Sequence, residues 1–321
     1  MLCILYVNVV GACLGLVGLL VERVQSPGAL RRWIWLAIIP VSMIVPGTYR
    51  TRHAWSLIPA LQHHQSEAPL AHVGAGVPAV LDPDWWARTE SSDVVINRFA
   101  SIASSILVAL AVANAWRVWR IVRLSRRPTI IDGVRVTVTD AVGPATVGLM
   151  RSRVLVPRWV LALPVKQREY VLRHEEEHRR SHDGLVLFIA SLPLILMPWN
   201  LAYWWILRRL CLAVEMDCDN RVVGALGDAH AYGELLLRVG EAGSRGPRLQ
   251  PAFLGMGMLE HRITQLAAPT RLRRAQKVLV PCLILALLAL VAWMPHPVLG
   301  HATRAHMMNN PAATADNPSV H

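Results

Sequence analysis

The segment His174-Glu175-Glu176-Glu177-His178 sets two histidines four residues apart, with a carboxylate directly after the first. Four residues advance a helix by about 400°, so both imidazoles stand on one face, a turn apart. Two neutral imidazoles so placed can bind one Zn²⁺, and Glu175 then lies beside the metal. A zinc ion lowers the pKa of its water to about 7, and an adjacent carboxylate takes the proton as the oxygen attacks a carbonyl. The chemistry implied is peptide hydrolysis. The competing reading is a charged, solvated helix face that happens to contain two histidines, and only context separates the two. Glu176 and Glu177 do not follow the first histidine directly, so they are expected to be solvated or salt-bridged.

A catalytic zinc needs a third protein ligand and one open position. Glu215, in the segment RRLCLAVEMDCDNRVVG, supplies a carboxylate on a later helix, and Asp219 follows four residues on, on the same face. One of the two can ligate while the other accepts the free N–H of a zinc-bound histidine, which fixes the tautomer and raises its basicity. Glu215 is assigned the first role and Asp219 the second. The alternative is that Glu215 only pairs with a neighbouring arginine. Cys218 is read as a small buried residue, because a fourth thiolate would close the position that water needs.

HEEEH, Asp183 five residues later, Pro198-Trp199-Asn200 and Glu215-Met216-Asp217-Cys218-Asp219 together resemble the BlaR/MecR-type membrane zinc peptidases. The similarity runs from about Val134 to Trp293: GPATVGLMRSRVLVP resembles the β segment before the family's metal helix, and LEHRITQL its Arg-Ile helix. The resemblance implies one Zn²⁺ per chain, with His174, His178 and Glu215 as ligands, Glu175 as general base, and Asp219 and Asp183 supporting the ligands. It also implies a signal-transducing protease of the bacterial cytoplasmic membrane, acting on itself, in a homodimer or within one chain, on a cytoplasmic repressor, or on both. The exposed candidate for self-cleavage is the linker that begins Gly243-Ser244-Arg245-Gly246, for which an ordinary loop is the competing reading. Two departures stand out. Asn200 is followed by leucine where the family has proline, and no counterpart of the large extracellular penicillin-binding domain of many members is evident, so the signal is unidentified. A membrane quality-control or CAAX-type zinc peptidase would share HExxH and a downstream glutamate, but HRRSHD with EMDCD favours the first family. A catalytically silent, metal-stabilised receptor is the other alternative, and the intact Glu175 argues against it.

The elements that must position these residues belong to a membrane protein. Across 321 residues, 54% are hydrophobic and 17% charged, at a mean hydropathy of +0.37. The expected fold is mainly α-helical: four transmembrane helices plus a cytoplasmic gluzincin-like zinc domain with a small β-sheet. Spans are expected at about 1–21, 30–48 and 99–116, making 1–116 an N-terminal membrane region, with a last span within 276–295 and a disordered external tail over 296–321. The zinc domain occupies 117–275. No Lys or Arg precedes the first apolar run and no small-residue cleavage site closes it, so that span is expected to remain. Two hairpins are expected before the metal helix, one turning at Asp132-Gly133 and one joining 146–150 to 154–156. The helix itself is expected from Leu163-Pro164 to Asp183-Gly184, with Gly184 as a left-handed cap. The five cysteines, none in a CxxC pair, are expected to be free thiols.

The net charge of +12 does not point to nucleic acid, because Arg117, Arg120, Arg123, Arg126 and Arg127 follow one span while Arg271, Arg273, Arg274 and Lys277 precede another. Such clusters are cytoplasmic anchors that attract anionic lipid heads. An even number of crossings must separate them, so the apolar stretch 185–207, which contains Pro193 and Pro198, is expected to be a re-entrant or interfacial hairpin. Both termini then lie outside. A topology reporter fused after Arg127 should therefore read cytoplasmic, and reporters placed within residues 60–90 or after Gly300 external; a cytoplasmic tail would make 185–207 a true span.

Overall fold

The computed structural model describes residues 2–24, 31–55, 84–125, 128–140, 142–244, 257–267 and 274–293. The fold is mainly helical. Helices α1 (Leu2–Val24), α2 (Arg31–Trp55) and α3 (Asp84–Leu124) come first. Strands β1 (Thr129–Ile131), β2 (Val134–Val138), β3 (Ala145–Val147) and β4 (Arg153–Val156) follow. After the short α4 (Arg158–Leu161) come α5 (Val165–Arg180), α6 (Asp183–Leu196), α7 (Leu201–Leu226), α8 (Ala229–Ser244), α9 (Met258–Ala267) and α10 (Arg274–Trp293). Helices α2 and α3 extend into the stretch between the second and third expected spans, from both ends. The histidine-bearing tail lies outside the described residues.

Both expected hairpins form. Asp132 and Gly133 take φ of 47° and 79°, the left-handed pair that a tight two-residue hairpin needs, and β1 pairs antiparallel with β2. Strands β3 and β4 pair antiparallel, but β4 also runs parallel to β2, so the sheet is mixed, in the order β1-β2-β4-β3. Val136, Val154 and Val156 on one face of the sheet are fully buried in a core with Tyr170 and Leu172 of α5, Val222 of α7 and Leu235 of α8. On the other face, Val147 and Leu155 meet Val118, Ile121 and Val122 at the end of α3. The sheet thus fixes α5 to the foot of α3.

Helices α6 and α7 form an antiparallel hairpin: the Tyr203 hydroxyl donates to the Ala190 carbonyl at 2.6 Å, and Cys218 lies opposite Asp183. Asn200 closes the turn by capping α7, its side chain accepting the Tyr203 amide at 2.9 Å. The hairpin packs along α1, from Asn8, which accepts the Ala202 amide, to Glu22, which pairs with Arg209 at 2.6 Å. At a rise of about 1.5 Å per residue, that stretch of α1 is about 21 Å long. Trp35 of α2 and Trp205 of α7 meet edge to face at 6.1 Å in the core between these helices.

Two helices among the described residues, Ile4–Val24 and Arg98–Leu124, are long and apolar enough to cross a membrane, and Asp183–Leu196 and Leu279–Trp293 are shorter apolar helices. Helix α3 exposes Phe99, Ile102, Ile106, Leu110 and Trp116 along its length, and Arg120 and Arg123 stack over Trp116 and Trp119 at its foot. Helices α1 and α7 approach closely because Gly15 lacks a side chain; a Cβ there would overlap the indole of Trp205, whereas Gly143 has nothing within 4 Å. Gly15→Ala should therefore destabilise the protein by about 1–3 kcal/mol, the usual cost of overpacking, and Gly143→Ala should be neutral, as read by thermal unfolding in detergent.

Candidate metal centre

Helix α5 starts with Pro164 at its N-cap and carries His174, Glu175 and His178 on its inner side, each largely buried. It ends at Arg180. The left-handed residue that separates α5 from α6 is His182, with φ 52°, and not the expected Gly184. Gly184 sits in the first turn of α6, where a Cβ would approach the Gly148 carbonyl at 3.1 Å. Close packing against the β3–β4 turn, and not helix capping, explains that glycine.

The α6–α7 hairpin returns the chain so that Glu215 faces α5. His174 Nε2 and His178 Nε2 lie 3.1 Å apart, Glu215 Oε2 is 3.5 Å from the first, and Glu215 Oε1 is 3.7 Å from the second. The far side of each ring is committed. His178 Nδ1 faces Asp183 Oδ2 at 2.8 Å, and His174 Nδ1 faces the Tyr232 hydroxyl at 3.1 Å and Asp219 Oδ1 at 3.4 Å. The Tyr232 hydroxyl donates to Asp219 at 2.7 Å, so it accepts from His174. Protons on both Nδ1 atoms leave two Nε2 lone pairs pointed at each other beside a carboxylate. Three acceptors converging in a buried space need a positive charge, and two imidazoles with one carboxylate are the donor set that suits Zn²⁺. Burial disfavours a charged His178, yet Glu215 and Asp183 outweigh it and hold its pKa well above the ordinary value.

Asp183 and Asp219 divide the two histidines between them, each behind one ring, with Tyr232 interposed at Asp219. Arg262 of α9 ties the carboxylates together: it makes two 2.7 Å hydrogen bonds to Asp219 and a 2.9 Å ion pair to Glu215. Burial raises the Glu215 pKa, but the charges of Arg262 and His178 prevail and keep the carboxyl well below its usual range. Neither Tyr232 nor Arg262 was singled out from sequence. The signal for Arg262 was present in the LEHRITQL likeness, but its partners lie 43 and 47 residues away.

Glu175 is held from β3, where Thr146 Oγ1 lies 2.8 Å from its carbonyl and 3.0 Å from Oε2. Glu176 and Glu177 are buried ion-pair residues and not solvated ones: Glu176 binds Arg179 and Arg180, and Glu177 binds Arg173 and Arg221. Cys218 is fully buried, with Sγ 3.3 Å from His178 Nδ1, on the opposite side of the ring from the Nε2 cluster, and burial pushes its thiol up to about 11. Cys13, Cys211, Cys218 and Cys282 are free thiols. At the expected self-cleavage stretch, Gly243 and Ser244 form the last residues of α8, and Arg245 and Gly246 lie outside the described residues.

The model of the BlaR1 peptidase M56 family matches residues 2–266. The chain belongs to that family. The match takes in α1 as well as α5, Glu215 and Arg262. No curated protein and no solved structure shows detectable similarity to the chain. This M56 chain is thus a BlaR1-like membrane metallopeptidase in its general character.

The convergent donors predict about one zinc per purified chain, removed by His174→Ala, His178→Ala or Glu215→Ala and measured by metal analysis. Asp219→Ala should weaken binding only about 10–100-fold, the usual cost of losing support behind a ligand.

Proposed function

We propose that this M56 peptidase is a zinc endopeptidase in which His174, His178 and Glu215 hold the metal and Glu175 is the general base. The observation that carries the reading is the meeting of two inward Nε2 atoms with a carboxylate from another helix, one residue from Glu175. Zn²⁺ held there supplies Lewis acidity for a peptide carbonyl and lowers the pKa of a water. The protein residues do the rest. Thr146 fixes one oxygen of Glu175, so the carboxylate is positioned to take a proton from the attacking water and pass it to the leaving amine. Asp183, Tyr232 and Asp219 hold the imidazoles in the tautomers that present Nε2 inward. Arg262 balances two buried carboxylates, so the cluster does not carry excess negative charge.

In this reading the chain crosses the cytoplasmic membrane four times, through α1, α2, α3 and α10, with both termini outside and the zinc domain in the cytoplasm. Support comes from the α6–α7 hairpin, which runs along α1 and returns, leaving the metal ligands at the same end as Arg23, Arg31 and Arg32. The basic foot of α3, beside the sheet, agrees. The substrate is a polypeptide: a cytoplasmic repressor, the chain itself near Gly243–Gly246, or both. Anionic lipid surrounds the basic clusters, and the chain does not contact nucleic acid itself.

Glu175→Gln should abolish cleavage while zinc content and membrane insertion persist, since glutamine keeps the shape but cannot accept the proton. The expected loss is about 10²–10⁴-fold. Fragments of the chain and of co-expressed repressors report it, and equal yields from wild type and variant would remove the peptidase reading in favour of a silent receptor.

A further inference from the structure

The metal cluster is built from α5 and α7, but one of its supports comes from a membrane helix far away in sequence. Arg31 and Arg32 open α2. Arg32 Nη1 lies 3.1 Å from Asp183 Oδ1, across 151 residues of chain, and the second oxygen of that carboxylate is the one that faces His178 Nδ1 at 2.8 Å. Asp183 is only 3% exposed, so it has little water to replace a lost partner. Arg31 reaches the other side of the cluster, where its guanidinium meets Gln265, three residues after Arg262, and the sulfur of Met216, next to Glu215. The start of α2 therefore touches the supports of both metal-bearing helices. It is also fixed to the membrane layer through Trp35, which donates to Glu22, itself paired with Arg209.

We propose that Arg32 is a positioning residue for the metal site: through Asp183 it fixes the ring of His178, so the grip on the cation depends on where α2 sits against α6 and α7. The inference rests on the zinc reading given above. A carboxylate anchored at one oxygen by a guanidinium is held in rotation as well as in place, and its other oxygen then presents one direction to the imidazole. Released from Arg32, the carboxylate turns about its own bond, and the ring it orients turns with it. A shift of α2, whatever its cause, thereby reaches a metal ligand through two contacts, without passing through the domain core. Arg32 touches neither metal nor substrate, so its effect should appear in metal affinity and not only in turnover.

The test uses the full chain in detergent micelles and measures the zinc dissociation constant by competition with a chromophoric chelator. Arg32→Ala should weaken zinc binding about 10–100-fold, and Arg32→Lys, which restores a cation at the same place, should recover most of the loss. In an Asp183→Ala background the Arg32→Ala change should add nothing further, because the first substitution already removes the acceptor that links Arg32 to His178. Arg168→Ala breaks a short, partly buried ion pair, to Asp132 on the β1–β2 turn, that touches neither α2 nor Asp183, and should leave zinc affinity unchanged. Where Arg32→Ala fails to fold, Arg32→Gln is read in its place. Unchanged affinity in Arg32→Ala, losses that add in the Asp183→Ala background, or an equal loss in Arg168→Ala would each overturn the proposal. A wild-type chain that binds no zinc, or a His178→Ala variant that keeps it, is a different result and overturns the metal reading itself.

Discussion

Two imidazole nitrogens face each other at 3.1 Å across a space they share with Glu215, and each ring's outer nitrogen is already committed to an oxygen acceptor. Lone pairs so arranged repel in a buried setting unless a positive charge lies between them. The rest of the site answers that constraint. Asp183 and the Tyr232–Asp219 pair hold the rings against turning away, and Arg262 bridges Asp219 and Glu215. The raised affinity of His178 for a proton expresses the same demand for positive charge.

The scaffold has to bring α5 and α7 together at one level, and it does so by sending the chain away and back. The α6–α7 hairpin carries apolar residues along α1 and α2 before α7 returns with Glu215, Cys218 and Asp219 in register with α5. Its irregular turn at 197–200 is satisfied internally: the Asn200 side chain accepts one amide and Asn8 of α1 accepts another. The absence of a side chain at Gly15 lets the hairpin approach α1 closely.

Most of the charge buried around this site lies in pairs and chains; Asp217 is the exception, buried without a hydrogen-bond partner, and burial pushes its carboxyl up to about 6. Glu176 binds two arginines and Glu177 three, Glu22 binds Arg209 and the Trp35 indole, and Asp183 binds Arg32. Breaking such a pair costs more than forming it gains, because the remaining charge is left without water. The ion pairs therefore contribute to where each helix sits more surely than to net stability. They also connect α1 and α2 to the donor cluster, since Glu22 lies near the end of α1 and Arg31 and Arg32 open α2.

The sequence by itself determined what is local. Helical spacing put His174, Glu175 and His178 on one face and Glu215 with Asp219 on another, and the Asp132-Gly133 turn and the β3–β4 hairpin followed from backbone preferences of a few residues. The apolar runs marked α1, α3, α6 and α10, because hydropathy is summed over neighbouring positions. Tertiary structure decided everything that depends on which groups meet across the chain. The parallel pairing of β2 with β4, Tyr232 between His174 and Asp219, Arg262 across two carboxylates and Arg32 behind Asp183 all join residues far apart in sequence, where no periodicity carries information. The left-handed residue is His182, and Gly184 instead packs against the Gly148 carbonyl, a contact that spacing cannot reveal. Residue types and their period fix which side chains are available on each helix face, whereas the partner each charge finds is set by the packing that excludes water around it.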